Sequence, residues 1–138
     1  MTYATQQNMI DRFGEPELVL LTDRARLGVL DAAVLAQALA DADAEIDGYL
    51  AGRYALPLAA VPEKLALLAC DLARFYLYKD AAPETVRDRQ ADAVKYLSLV
   101  GQGKIPLVHA GQAEAPQSGG VQFAAPGRVF GADTLAGY

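Results

Sequence analysis

The chain has 138 residues, 53% of them hydrophobic, and sets 17 acidic against 12 basic side chains for a net charge of -5. That length fits one domain with a core of its own, and the acidic excess opposes ordinary phosphate-neutralising DNA binding, the more so because residues 1–54 hold nine acids and four bases. The lone cysteine, Cys70, excludes an internal disulfide; with no basic-then-apolar leader and no bilayer-length apolar run, neither export nor membrane insertion is expected. Alanine and leucine dominate, tryptophan is missing and β-branched residues are sparse through the first hundred positions, which favours helices over sheets.

Taken in chain order, Thr5 is placed to cap a short helix with Met9, Ile10 and Phe13 on one side and Gly14 to end it. Pro16 suits the first turn of a second short segment, Glu17 to Leu21, and Thr22-Asp23-Arg24 reads as a turn or a further cap. The strongest helix starts after Asp31 and runs to about Gly52. On it Val34, Leu35, Ala38, Leu39, Ala42, Ile46, Tyr49 and Leu50 fill an arc of about 160° that can face a core. Its other side carries Ala33, Ala36, Ala40, Ala44, Gly48 and Ala51, with Asp43 and Asp47 beside them and Asp41 and Glu45 at the core edge. A merely solvated face would carry lysine, glutamate and glutamine, whereas small side chains let another helix approach closely. The alternative is helix-favouring alanine that simply faces water.

After a turn over residues 53–58, Pro62 opens a helix to about Lys79 that is apolar almost all round. Leu65, Leu68, Ala69, Leu72 and Tyr76 lie on one side, Cys70, Ala73 and Leu77 widen it, and Lys64, Asp71 and Arg74 form a narrow polar stripe. Leu67 and Tyr78 share that stripe, as interface residues or as more core. Pro83 starts a third long helix, Glu84 to Val100, with Val86, Ala93, Leu97 and Val100 inward, Gly101 as a stop, and Arg87, Asp88, Arg89, Asp92 and Lys95 on a solvated face. Residues 110–120, rich in Gly, Gln, Ala, Pro and Ser, mark a linker, and residues 121–138 regain Phe, Val, Leu and Tyr, which a purely disordered tail would lack. The expected architecture is all-α: a compact bundle of three main helices plus short N-terminal helices over residues 1–109, then the linker, then an extended C-terminal docking arm.

The inventory for catalysis is thin. His109 has no cysteine or acid cluster at ligand spacing, and Cys70 on the buried helix reads as a small core hydrophobe. Leu67-Leu68-Ala69-Cys70 looks like a lipoprotein cleavage box, but it sits mid-chain on a helical pattern with no signal sequence before it. Gly101-Gln102-Gly103-Lys104 fails as a phosphate loop, because Ile105 stands where Ser or Thr should bind magnesium and Ser98 where the first glycine should be. The remaining enzyme reading is a small helical metal-dependent enzyme using Asp41, Asp43, Glu45 and Asp47. Only Asp41 with Glu45 and Asp43 with Asp47 are one helical turn apart, on different sides, so a solvated acidic surface explains them better. No catalytic residue, metal or cofactor is assigned.

The stretch Asp31-Ala32-Ala33-Val34 followed by Leu39 to Leu58, with its Ala51-Gly52-Arg53-Tyr54-Ala55-Leu56-Pro57-Leu58 ending, resembles the head-to-tail connector family of Mu-like phages and prophages. Thr5 to Asp23 before it, Leu68 to Tyr78 after it, and the ending Gly127-Arg128-Val129-Phe130 with Thr134-Leu135-Ala136-Gly137-Tyr138 support the likeness over nearly the whole chain. The resemblance implies a non-enzymatic adaptor that adds a ring, twelvefold to match the portal, between the portal protein and a neck or tail protein. It would assemble in the host cytoplasm and end in the virion neck, with DNA passing through without specific binding. Within that picture Ala33, Ala40, Ala44, Gly48, Ala51, Leu67 and Tyr78 are candidates for subunit contact. Asp41, Asp43 and Asp47 are candidates for a channel wall that repels phosphates. Val121, Phe123, Arg128, Val129, Phe130, Leu135 and Tyr138 are candidate anchors of the docking arm, which an eleven-residue flexible linker, with a root-mean-square reach of ~17–20 Å, would carry off its own subunit.

Overall fold

The computed structural model describes residues 2–107, so His109, the linker and the arm lie outside the described residues. Within that range the chain is all-α. The helices are α1 (Gln6–Phe13), α2 (Glu15–Thr22), α3 (Ala32–Leu50), α4 (Glu63–Tyr78), a single 3-10 turn (Lys79–Ala81) and α5 (Glu84–Gly101). Helices α3, α4 and α5 pack against one another as the body, and α1 and α2 lie across α3 and α4.

The helix ends follow their local chemistry. The Thr5 hydroxyl accepts the Asn8 N–H while the Asn8 side chain accepts the Thr5 N–H, closing a capping box at α1. Gly14, at φ 88, ends α1 and opens α2, with Pro16 in the first turn. Asp31 caps α3 through its carboxylate, which accepts the Ala33 and Val34 N–H groups. The end of α5 differs from the sequence expectation: Gly101 is still helical, and the left-handed residue is Gly103, at φ 80. The Gly103 N–H reaches the Val100 carbonyl and the Lys104 N–H the Leu99 carbonyl, the two bonds of a Schellman ending. Gly101 serves packing instead: a Cβ there would stand 2.6 Å from the Tyr49 carbonyl oxygen, so α5 meets α3 at a distance only glycine allows.

The core sits where the periodicity places it. Leu35, Ala38, Leu39, Ala42, Ile46 and Leu50 of α3 are buried, with Val34 and Tyr49 packed at its margin, and Val86, Ala93, Leu97 and Val100 line the inner side of α5. Helix α4 runs through the middle, with Leu65, Leu68, Ala69, Cys70, Leu72, Ala73 and Leu77 buried. The connection after α3 is tied to the segment after α5: Tyr54 is buried, and its hydroxyl accepts the N–H of Leu107, also buried.

Candidate interaction surfaces

The acids of α3 do not form one group. Tyr3, buried against the body, donates its backbone N–H to Asp43 at 3.0 Å and its hydroxyl to Asp47, so the N-terminal segment is clasped onto α3. Glu45 accepts the hydroxyl of Tyr76 on α4, and Asp41 is exposed, accepting from Gln37 one turn earlier. Burial pushes the Asp43 and Glu45 carboxyls above their ordinary range, in Asp43 against the pull of the Tyr3 N–H, and pushes the Tyr3 hydroxyl up as well. No three His, Cys, Asp or Glu side chains among the described residues are gathered to hold a metal ion. Of the channel-wall candidates, Asp41 is open and Asp43 and Asp47 are half-buried.

A second polar group joins the N-terminal helices to the body. Glu17 on α2 accepts two hydrogen bonds from Arg74 on α4, at 2.7 and 3.1 Å, and one from the Tyr78 hydroxyl at 3.1 Å. The Arg74 guanidinium also lies over the Phe13 ring at 4.4 Å. Tyr78 therefore spends its hydroxyl inside its own subunit, its pKa raised by burial and by the Glu17 carboxylate, and Leu67 is packed against the core. The polar stripe assigned to α4 also needs correction, because Asp71 is 7% exposed and 3.8 Å from Arg89 of α5. Burial raises its pKa despite the opposing pull of Arg89, Arg12, Arg74 and Lys64. Cys70 is fully buried, and desolvation pushes its thiol up to about 11, as befits a core residue rather than a nucleophile.

The small-residue side of α3 is open. Ala33, Ala36, Ala40, Ala44, Gly48 and Ala51 are all exposed, and no described element covers them. Beside them runs a groove of about 270 Å³ between the N-terminal segment and α3, lined by Thr2, Ala4, Thr5, Gln6, Ala32, Ala36, Leu39, Ala40 and Asp43. The sequence reading missed a second open surface, the α2–α3 connection, where Leu27 and Val29 stand exposed with Arg24 and Arg26, close in sequence to the exposed Leu20 of α2. Its local signal was an apolar pair, Leu27 and Val29, on either side of Gly28 in a segment with no helical period. The arm candidates Val121, Phe123, Arg128, Val129, Phe130, Leu135 and Tyr138 lie outside the described residues.

These features define a small all-α protein in which a three-helix body carries a two-helix N-terminal attachment, and no described helix is long and apolar enough to cross a membrane. Residues 3–125 match the family model described as Bacteriophage Mu, Gp36. The chain is 34% identical over 137 residues to the Mu-like prophage FluMu protein gp36 of Haemophilus influenzae, covering 99% of this chain and 97% of that one. It is 40% identical over 119 residues to gene product J of Escherichia phage Mu, covering 85% and 84%. The chain belongs to the Bacteriophage Mu Gp36 family, and is thus a protein of Mu-like phages and prophages.

Proposed function

We propose that this protein is a structural head-to-tail connector, a non-enzymatic adaptor that forms a ring between the portal and the tail of a Mu-like phage or prophage. Membership in the Bacteriophage Mu family supports the phage setting. The single observation that carries the contact role is the uncovered α3 side, a run of Ala33, Ala36, Ala40, Ala44, Gly48 and Ala51. A helix of a small isolated protein has little reason to keep five alanines and a glycine on its outer side, whereas a helix that meets a neighbour closely does.

In this reading the ring has twelve copies to match the portal, forms in the host cytoplasm and remains in the virion neck. Asp41, the exposed one of the three channel-wall candidates, keeps the passing phosphates from sticking. Residues 121–138 reach a neighbouring subunit or the next neck protein. The test is mass measurement and electron microscopy of the full chain with its portal: rings seated on the portal are expected, and free monomer at every concentration overturns the proposal. Deleting residues 119–138 should leave a folded helical monomer that fails to assemble or to join heads to tails. A truncated chain that assembles normally, or that no longer folds, removes the arm from the mechanism.

A further inference from the structure

The α2–α3 connection is a built projection. The Asp23 carboxylate accepts the Leu27 N–H at 2.8 Å and the Gly28 N–H at 2.6 Å, Arg26 and Gly28 take left-handed backbone angles (φ 60 and 79), and the Thr22 hydroxyl accepts the Asp31 N–H at 3.0 Å. Three anchored N–H groups therefore fix the connection, with Leu27 74% and Val29 58% exposed on it and Leu20 84% exposed at the end of α2. Holding Leu27 and Val29 in water on either side of Gly28 is unfavourable, and apolar surface left open in this way is available for contact. Arg24 and Arg26 flank it, exposed and in no ion pair with a described residue.

The groove on α3 has the opposite character. Ala4, Ala32, Ala36 and Ala40 are among its lining residues, and so is Asp43. Leu27 of the same chain does not occupy it, being exposed. One apolar knob with positive flanks and one groove lined by alanines and by the acidic Asp43 thus stand open on a single chain. Complementary charge at the edges of an apolar contact selects and orients the partner.

We propose that the Leu27 knob of one copy seats in the Ala36–Ala40 groove of a second copy, with Arg26 facing Asp43. Each copy can satisfy a neighbour reciprocally in a two-fold dimer or in succession in a head-to-tail chain, and the head-to-tail arrangement, which closes a ring when the rotation fits, is the one the connector reading requires. The contact stands on the two surfaces; its closure into a ring rests on the connector reading above.

Cysteine exchange on the full chain tests it. Protein carrying Leu27→Cys is mixed with protein carrying Ala36→Cys under a mild oxidant, the native Cys70 being buried and its thiol raised to about 11. The mixture should give a covalent dimer that neither protein gives alone, and that is absent when Asp88→Cys on the exposed side of α5 replaces Leu27→Cys. One chain carrying both substitutions should give a ladder of higher oligomers. Leu27→Asp should raise the concentration needed for assembly at least about tenfold while leaving the helical circular dichroism unchanged. Assembly without the mixed cross-link overturns this contact and leaves the connector reading standing, and a cross-link that stops at dimers overturns the head-to-tail arrangement. A ladder in solution with no ring on the portal supports the contact and counts against the connector.

Discussion

Helices α3 and α4 are both rich in alanine and leucine, yet the same residues do different work in them. In α4, Ala69 and Ala73 are buried beside Leu65, Leu68 and Leu72, and even Asp71 is drawn inside. In α3 the alanines divide: Ala38 and Ala42 are buried, whereas Ala33, Ala36, Ala40 and Ala44 face outward. Alanine states only that a helix is favoured. Whether it is a close-packing residue of the fold, or of a contact the fold leaves open, depends on what lies across from it.

The largest effect should come from the middle of α4. Leu72 is fully buried, so Leu72→Ala should cost about 2–5 kcal/mol in urea unfolding, by lost transfer energy and the cavity left behind. Next is the α3–α5 contact. Gly101→Ala places a Cβ against the Tyr49 carbonyl oxygen, which is backbone and cannot swing away, so a loss of about 1–3 kcal/mol is expected. A loss as small as that of a surface substitution would show that α5 can slide off α3.

By contrast Ala40→Glu, on the outer side of α3, should change monomer stability by no more than about 0.5 kcal/mol while reducing assembly. A large loss of monomer stability would mean that the outer side serves the fold after all, and the contrast between the two helices would fail.

The smallest effect is a pH dependence. Burial raises the folded-state pKa of Asp71, Asp43 and Glu45 above their unfolded values. The folded state therefore holds these protons to higher pH than the unfolded state does. Their contribution to stability is fully present below the ordinary carboxylate range and is lost as pH rises through the raised values. Asp71→Asn removes one such group. Thermal unfolding between about pH 7 and pH 4 should show the wild type gaining stability relative to the variant as pH falls; the opposite slope would mean that Arg89 and its neighbours outweigh burial at Asp71.

Much of the fold was legible from local pattern. The apolar arc of α3, the nearly all-round apolar character of α4, the Thr5 and Asp31 caps, the break at Gly14 and the Pro62 and Pro83 starts are all found where the residues put them. Each depends on interactions within about one helical turn, which spacing along the chain records directly. The family, too, was readable, because the stretch from Asp31 to Leu58 and its flanks are distinctive as residues rather than as shape.

The tertiary structure decided the rest. Tyr3 meets Asp43 and Asp47 across 40 and 44 residues, Glu45 meets Tyr76 across 31, and Glu17 meets Arg74 and Tyr78 across 57 and 61. These pairings tied Asp43 and Asp47 to the N-terminal segment and Glu45 to α4, and drew the Tyr78 hydroxyl to Glu17. They also moved Asp71 from the surface to the core, left Leu20, Leu27 and Val29 outside it, and assigned the left-handed turn after α5 to Gly103 while Gly101 met Tyr49. Helical periodicity fixes which side of a helix a residue occupies; which side meets another helix depends on how the helices pack together, and no local spacing carries that information.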